Sequence, residues 1–164
     1  MAIPLTKELL TTEPENLAKE ICENGNDTST QIRKFYNDFL ILKAKADIAQ
    51  SEEEFKTKIL PLICFSKAKM AYAVGRNQLS RSLSEKINKK VDAIETRADF
   101  ENFLNYYQAL IGYVTYYAQL KKEENQNNRA QNGKRQNVWN QNATQRGEYQ
   151  NQGRPMYRVK NNNN

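Results

Sequence analysis

Apolar residues recur along most of this chain at the three- and four-residue spacing of helices, and nowhere in the alternation of a half-buried strand. From Thr28 the positions Ile32, Phe35, Tyr36, Phe39 and Ala46 fall on one helical face, a core stripe. Leu79, Leu83, Ile87, Val91 and Ile94 make a second stripe, and Phe100, Phe103, Leu104, Tyr107, Ile111 and Val114 a third. Start signals of the S/T-x-x-E/Q kind stand at Thr12 with Glu15, Thr28 with Gln31 and Ser51 with Glu54. Asn24-Gly25 is a stop between the first two helices. The pattern predicts helices over 13–23, 29–49, 52–64, 66–95 with a break near Gly75, and 97–121. The fold class is therefore all-α, a compact five-helix bundle over residues 1–124.

Two of these helices carry a second apolar side. Leu40, Ile41, Ala44 and Ile48 lie opposite the first stripe, and Tyr106, Ala109, Tyr113, Tyr116 and Leu120 opposite the third. The simplest reading puts such helices in the middle of the bundle. The other makes the second faces surfaces for neighbouring subunits or for a partner protein, in which case the chain is a cytosolic helical adaptor.

Composition changes abruptly after "LKKEENQNNR". Residues 125–164 are rich in Asn, Gln and Arg, and "QN" recurs every five residues from Gln126 to Gln141, a period that suits neither helix nor strand. Such a segment buries too little apolar surface to offset its ordering entropy, so a disordered tail is expected. Its arginines, among them Arg129, Arg135, Arg146, Arg154 and Arg158, alternate with Trp139, Tyr149 and Tyr157, a mixture that suits loose contact with single strands, or simply a solubilising extension.

Charge narrows the function classes. The net charge is +6, but residues 1–27 carry −4, residues 28–120 carry +4 and residues 121–164 carry +6. A basic body with a basic tail points to a polyanionic partner. With no His in 164 residues, the Ser/His/Asp and Cys/His arrangements are impossible, and no paired-carboxylate, phosphate-loop or EF-hand spacing takes their place. The expectation is a protein that is not an enzyme and has no catalytic residue, metal or cofactor. No apolar run reaches bilayer length and no signal peptide leads the chain, so no membrane partner and a cytoplasmic location are expected.

The densest cationic pattern is "SKAKMAYAVGRNQLSR", residues 66 to 81. On a helix Lys69, Tyr72 and Arg76 share one side, with Lys67 and Arg81 in the same stretch, while Ala68, Ala71 and Gly75 form a smooth face that a nucleic-acid backbone can approach. Lys86, Lys89 and Lys90 continue as a cationic flank. These are the candidate contacts for a nucleic-acid backbone; a solvated face with Tyr72 tucked against the core is the alternative.

"TSTQIRKFY", "KAKMAYAVGR" and "FENFLNYYQALIGYV", taken in order, resemble the small helical subunit of type III-A CRISPR effector complexes, the Csm small subunit, over residues 28–117. The resemblance implies a non-catalytic five-helix protein, several copies of which line the guide–target duplex and touch the target RNA backbone. It implies target RNA, guide RNA, the other Csm subunits and neighbouring copies of the chain as partners, and it points to Arg33, Lys69 and Arg76 for RNA contact. The Asn/Gln-rich tail and the tyrosine-rich closing helix depart from the family pattern.

Overall fold

A computed structural model describes residues 3–24 and 29–151, the side chains of residues 24, 127 and 129–151 excepted. Every regular element among them is helical: α1 (Lys7–Leu10), α2 (Thr12–Asn24), α3 (Ser29–Ile48), α4 (Glu52–Glu54), α5 (Leu60–Gly75), α6 (Arg81–Asp92) and α7 (Arg97–Asn151). A π-helical turn, Phe55–Ile59, joins α4 to α5 without interruption, so α2, α3, α4–α5, α6 and α7 are five long helical runs. The chain divides into two units, Met1–Lys121 and Lys122–Asn164.

The first unit is built around α3 and α7. Ile32, Phe39, Phe100, Phe103 and Tyr107 are all but fully buried, and Phe39 meets the ring edge of Phe103 at 4.9 Å between centroids. Tyr107 stacks on half-buried Tyr36 at 5.7 Å and donates its hydroxyl to the Ile32 carbonyl at 3.2 Å, so its polar end is satisfied inside the core. The α6 stripe is buried at all five expected positions.

Two boundaries differ from the expected ones, each for a local reason. The predicted break between 64 and 66 is absent, since α5 runs on from Leu60 to Gly75 with no glycine or proline at 62–74 to stop it, and the one adjustment falls earlier, at Pro61. Pro61 lacks the N–H that an α-turn needs, and its ring would press on the carbonyl four residues back. The chain relieves this by widening one turn, in which the Leu60 N–H reaches back five residues to the Phe55 carbonyl, and the helix continues. The break near Gly75 is instead complete. Asn77 takes the left-handed conformation (φ 55°), and the Gln78 N–H bonds to the Ala73 carbonyl at 2.9 Å, the Schellman closure of a helix end. Residues 66–95 are therefore two helices, with Ser80 capping the second by accepting the Leu83 N–H at 3.2 Å.

The capping signals also sort themselves out. Ser51 caps its helix as expected, accepting the Glu54 N–H at 3.1 Å, while the Glu54 carboxylate accepts the N–H of Gln50, one residue before the cap, at 2.8 Å. Thr12 is not a cap. It is the first residue inside α2, the Glu15 N–H goes to the Thr11 carbonyl, and the Glu15 carboxylate faces Lys19 and Tyr117 instead. Thr28 and the Asn24-Gly25 stop lie outside the described residues, apart from the Asn24 backbone.

The second face of α3 is not buried in the middle of the bundle. Leu40, Ala44, Ile41 and Ile48 are exposed, the last by 80%. So few helices cannot surround one of their number. Along α7, Tyr106 is buried and Ala109 and Tyr113 half-buried, whereas Tyr116 and Leu120 are exposed.

In the second unit the α7 backbone stays helical through Asn151, beyond the end expected near 121, with no proline before Pro155 to stop it, although Asn recurs there and Gly133 and Gly147 are poor helix formers. Every described core side chain precedes this unit. Truncation after Lys122 should accordingly leave the thermal midpoint of the bundle nearly unchanged; a calorimetric midpoint lower by many degrees would contradict it.

Candidate nucleic-acid interface

The nine cations and aromatics singled out in the sequence occupy several distinct places. Lys69, Tyr72 and Arg76 stand together on the exposed side of α5, facing α3 across an open groove of about 550 Å³. Gln31, Lys34, Phe35 and Asp38 form the α3 wall; Phe65, Ala68, Lys69, Tyr72 and Arg76 form the α5 wall. Lys69 reaches across to Asp38 at 3.0 Å. Arg76 donates to the Tyr72 hydroxyl at 3.0 Å, with its guanidinium carbon 5.6 Å from the ring centroid. Tyr72 is 65% exposed, so it is not tucked against the core.

This groove owes its position to two local facts already described. The continuous α4–α5 run keeps Phe65 and Tyr72 on one straight helix, and the Schellman turn leaves Arg76 at its open end. With Lys34, Lys69 and Arg76 against Asp38, the walls carry a net charge of +2. Lys34 was not among the sequence candidates; its signal was the i, i+4 spacing to Asp38, which puts both on the α3 wall.

The α6 cations have a different fate. The Lys86 ammonium pairs with Glu20, which also accepts the Ser82 hydroxyl at 2.7 Å, and Lys90 pairs with Glu13 at 2.5 Å while lying 4.9 Å from the centroid of the Tyr106 ring. The Lys86 ammonium, with help from Ser82, holds the Glu20 carboxyl below its ordinary value. Burial, reinforced by Glu13, pushes the Tyr106 phenol up. Two carboxylates of the acidic N-terminal segment, Glu13 and Glu20, thus face the α6 cations Lys86, Lys89 and Lys90 across one groove. Lys89 lines that groove, exposed and without a carboxylate partner among the described residues.

The remaining three stand apart. Lys67 turns from the groove toward α6 and pairs with Asp92 at 2.5 Å. Arg81 is exposed at the first position of α6, beside Asn77 and Ser80. Arg33 lies on the α7 side of α3 and donates to the Thr115 hydroxyl at 3.0 Å, so it does not share a wall with Lys69 and Arg76. The single cationic flank expected along 66–95 does not exist, because the chain reverses at Asn77 and α5 and α6 present separate faces. Gly75, exposed at the end of α5, has open space where a Cβ would project, in keeping with the smooth face expected there.

Among the described residues no group of three or more His, Cys, Asp or Glu side chains could hold a metal ion, and no helix is long and apolar enough to cross a membrane. In comparisons with known proteins, the family model described as Csm2 Type III-A matches residues 5–120. Neither the search of curated proteins nor that of solved structures finds a match.

Proposed function

Since the chain belongs to the Csm2 family and so is a subunit of a type III-A CRISPR complex, we propose that it lines the guide–target duplex and holds the target RNA backbone in the groove between α3 and α5. The observation that carries this is the net +2 of that groove, where Lys34, Lys69 and Arg76 converge on an exposed helical surface. Phosphate contacts of this kind position a strand without reading its sequence, and guide pairing supplies the specificity in RNA-guided complexes. The subunit has no catalytic role in this reading, and it works in the cytoplasm. Lys86 and Lys90 contribute less, because a phosphate must displace Glu20 and Glu13 there, whereas in the α3–α5 groove only Lys69 is held by a carboxylate, Asp38, and Lys34 and Arg76 have none among the described residues.

Exposed Ile41 and Ile48 on α3, and Tyr116 and Leu120 on α7, favour a second role for the same chain, contact with other Csm subunits or with neighbouring copies. A helical adaptor acting by those faces alone would be indifferent to salt.

The isolated protein should bind single-stranded RNA weakly, without base preference, and with affinity that falls steeply as salt rises. Replacing Lys69 and Arg76 together by Ala should weaken binding and flatten the salt dependence by about 0.7 in log–log slope for each phosphate that is no longer neutralised. Each substitution is exposed and should cost less than about 0.5 kcal/mol of stability. Replacing Lys86 and Lys90 should do much less to RNA binding. Wild-type RNA affinity in the Lys69/Arg76 variant, or equal losses in the two double variants, would remove the α3–α5 groove as the contact surface.

A further inference from the structure

Backbone contact leaves two features of the α3–α5 groove unused. Phe65 and Tyr72, on its α5 wall, are 59% and 65% exposed. Neither ring stacks on another aromatic among the described residues. Seven residues separate them, two helical turns or roughly 10 Å of axial rise, so they stand one above the other on the same side of α5. Between them the wall is Ala68, exposed and without a side chain beyond Cβ, with Lys69, which reaches across to Asp38, beside it. A planar group in contact with an aromatic face needs about 3.5 Å on each side. The roughly 10 Å of rise between the two ring positions therefore exceeds the roughly 7 Å that a base stacked between them needs.

We propose that Phe65, Ala68 and Tyr72 form a stacking slot that takes an unpaired nucleobase of the strand whose phosphates meet Lys34, Lys69 and Arg76. This rests on the RNA-contacting reading above and adds to it a base-directed, sequence-tolerant component. Every base has a π-face, so stacking raises affinity without selecting sequence. Arg76 prepares the slot: its bond to the Tyr72 hydroxyl and its place near the ring hold that ring against α5 before any ligand arrives. A protein ligand would also cover exposed rings, but three cations and a single carboxylate around them suit a polyanion better.

The test compares two strands of equal length, an oligouridine carrying one 2-aminopurine and a strand that is abasic throughout. On wild-type protein the intact strand should bind at least tenfold more tightly than the abasic one, and the probe emission should be quenched as the base stacks. The double variant Phe65→Ala/Tyr72→Ala should lose both the quenching and the preference while keeping the salt slope, because the phosphate contacts remain. Ala68→Leu, which fills the slot without removing a ring, should do the same; Tyr72→Phe, which keeps the ring, should retain quenching. If the aromatic variants bind and quench like wild type while Lys69→Ala/Arg76→Ala loses binding, the slot is overturned and the backbone reading survives. If the lysine–arginine variant also binds like wild type, the backbone reading falls with it. Aromatic variants that keep RNA binding but lose association with the other subunits would overturn the slot in favour of a protein-docking surface.

Discussion

Phe39→Ala is expected to destabilise the bundle by about 3–5 kcal/mol, read as a lower denaturant midpoint with little change in slope. Phe39 is fully buried, packs edge-on against Phe103 and lies 5.8 Å from the Tyr107 centroid. Truncation leaves a cavity between α3 and α7 that neither ring can fill, since each is fixed by other partners: Phe103 by Phe100, and Tyr107 by Tyr36 and the Ile32 carbonyl. One position along, Leu40→Ala removes an exposed side chain and should change stability by less than about 0.5 kcal/mol. If the two substitutions cost the same, α3 does not pack by its Phe39 face.

Asp99→Ala should cost on the order of 2–4 kcal/mol, from the loss of a helix cap and a buried donor left without its acceptor. Asp99 is buried at the start of α7. It forms a reciprocal cap with Thr96: the Asp99 N–H goes to the Thr96 hydroxyl at 3.1 Å and its carboxylate accepts the Thr96 N–H at 3.0 Å. The other carboxylate oxygen accepts the Ile3 N–H at 2.8 Å, and Asn102 donates to the Ile3 carbonyl at 2.9 Å, which ties the N-terminal segment to α7. Burial raises the Asp99 carboxyl, but the Thr96 hydroxyl and the N–H groups of Ile3, Glu95 and Thr96 outweigh it, and the net direction is below the ordinary value of 3.8. A depressed native value means that the stabilising contribution is present above the ordinary carboxylate range and is lost as pH falls through the native value. The stability difference between wild type and Asp99→Asn should therefore be largest at neutral pH and shrink on acidification below the ordinary value. A difference that is flat across that range would show that the ionised carboxylate contributes nothing beyond its shape.

The helical class, the buried stripes of α3, α6 and α7, and the Ser51 cap were determined by the sequence itself, because each depends on residues within a few turns of one another. So was the placing of Lys69, Tyr72 and Arg76 on one side of one helix, and with it the core of the candidate interface. Other local features went unseen because their signals were weak: the Thr96–Asp99 cap uses Asp where Glu or Gln was sought, and the Asn77 turn competes with a glycine two residues earlier. The expected helix over 52–64 already crossed Pro61, but the widened turn that accommodates the proline is announced by no residue pattern. What only the tertiary structure decided is which charges and apolar groups remain available. Arg33, Lys67, Lys69, Lys86 and Lys90 look alike as solvent-facing cations along the chain, yet each is engaged by a residue that is distant in sequence, Thr115, Asp92, Asp38, Glu20 and Glu13. The second apolar side of α3, by contrast, is left open because no helix among the described residues packs over it. Helical periodicity records which side chains share a face; which neighbour covers that face depends on contacts between segments far apart in the chain, and those are set by packing.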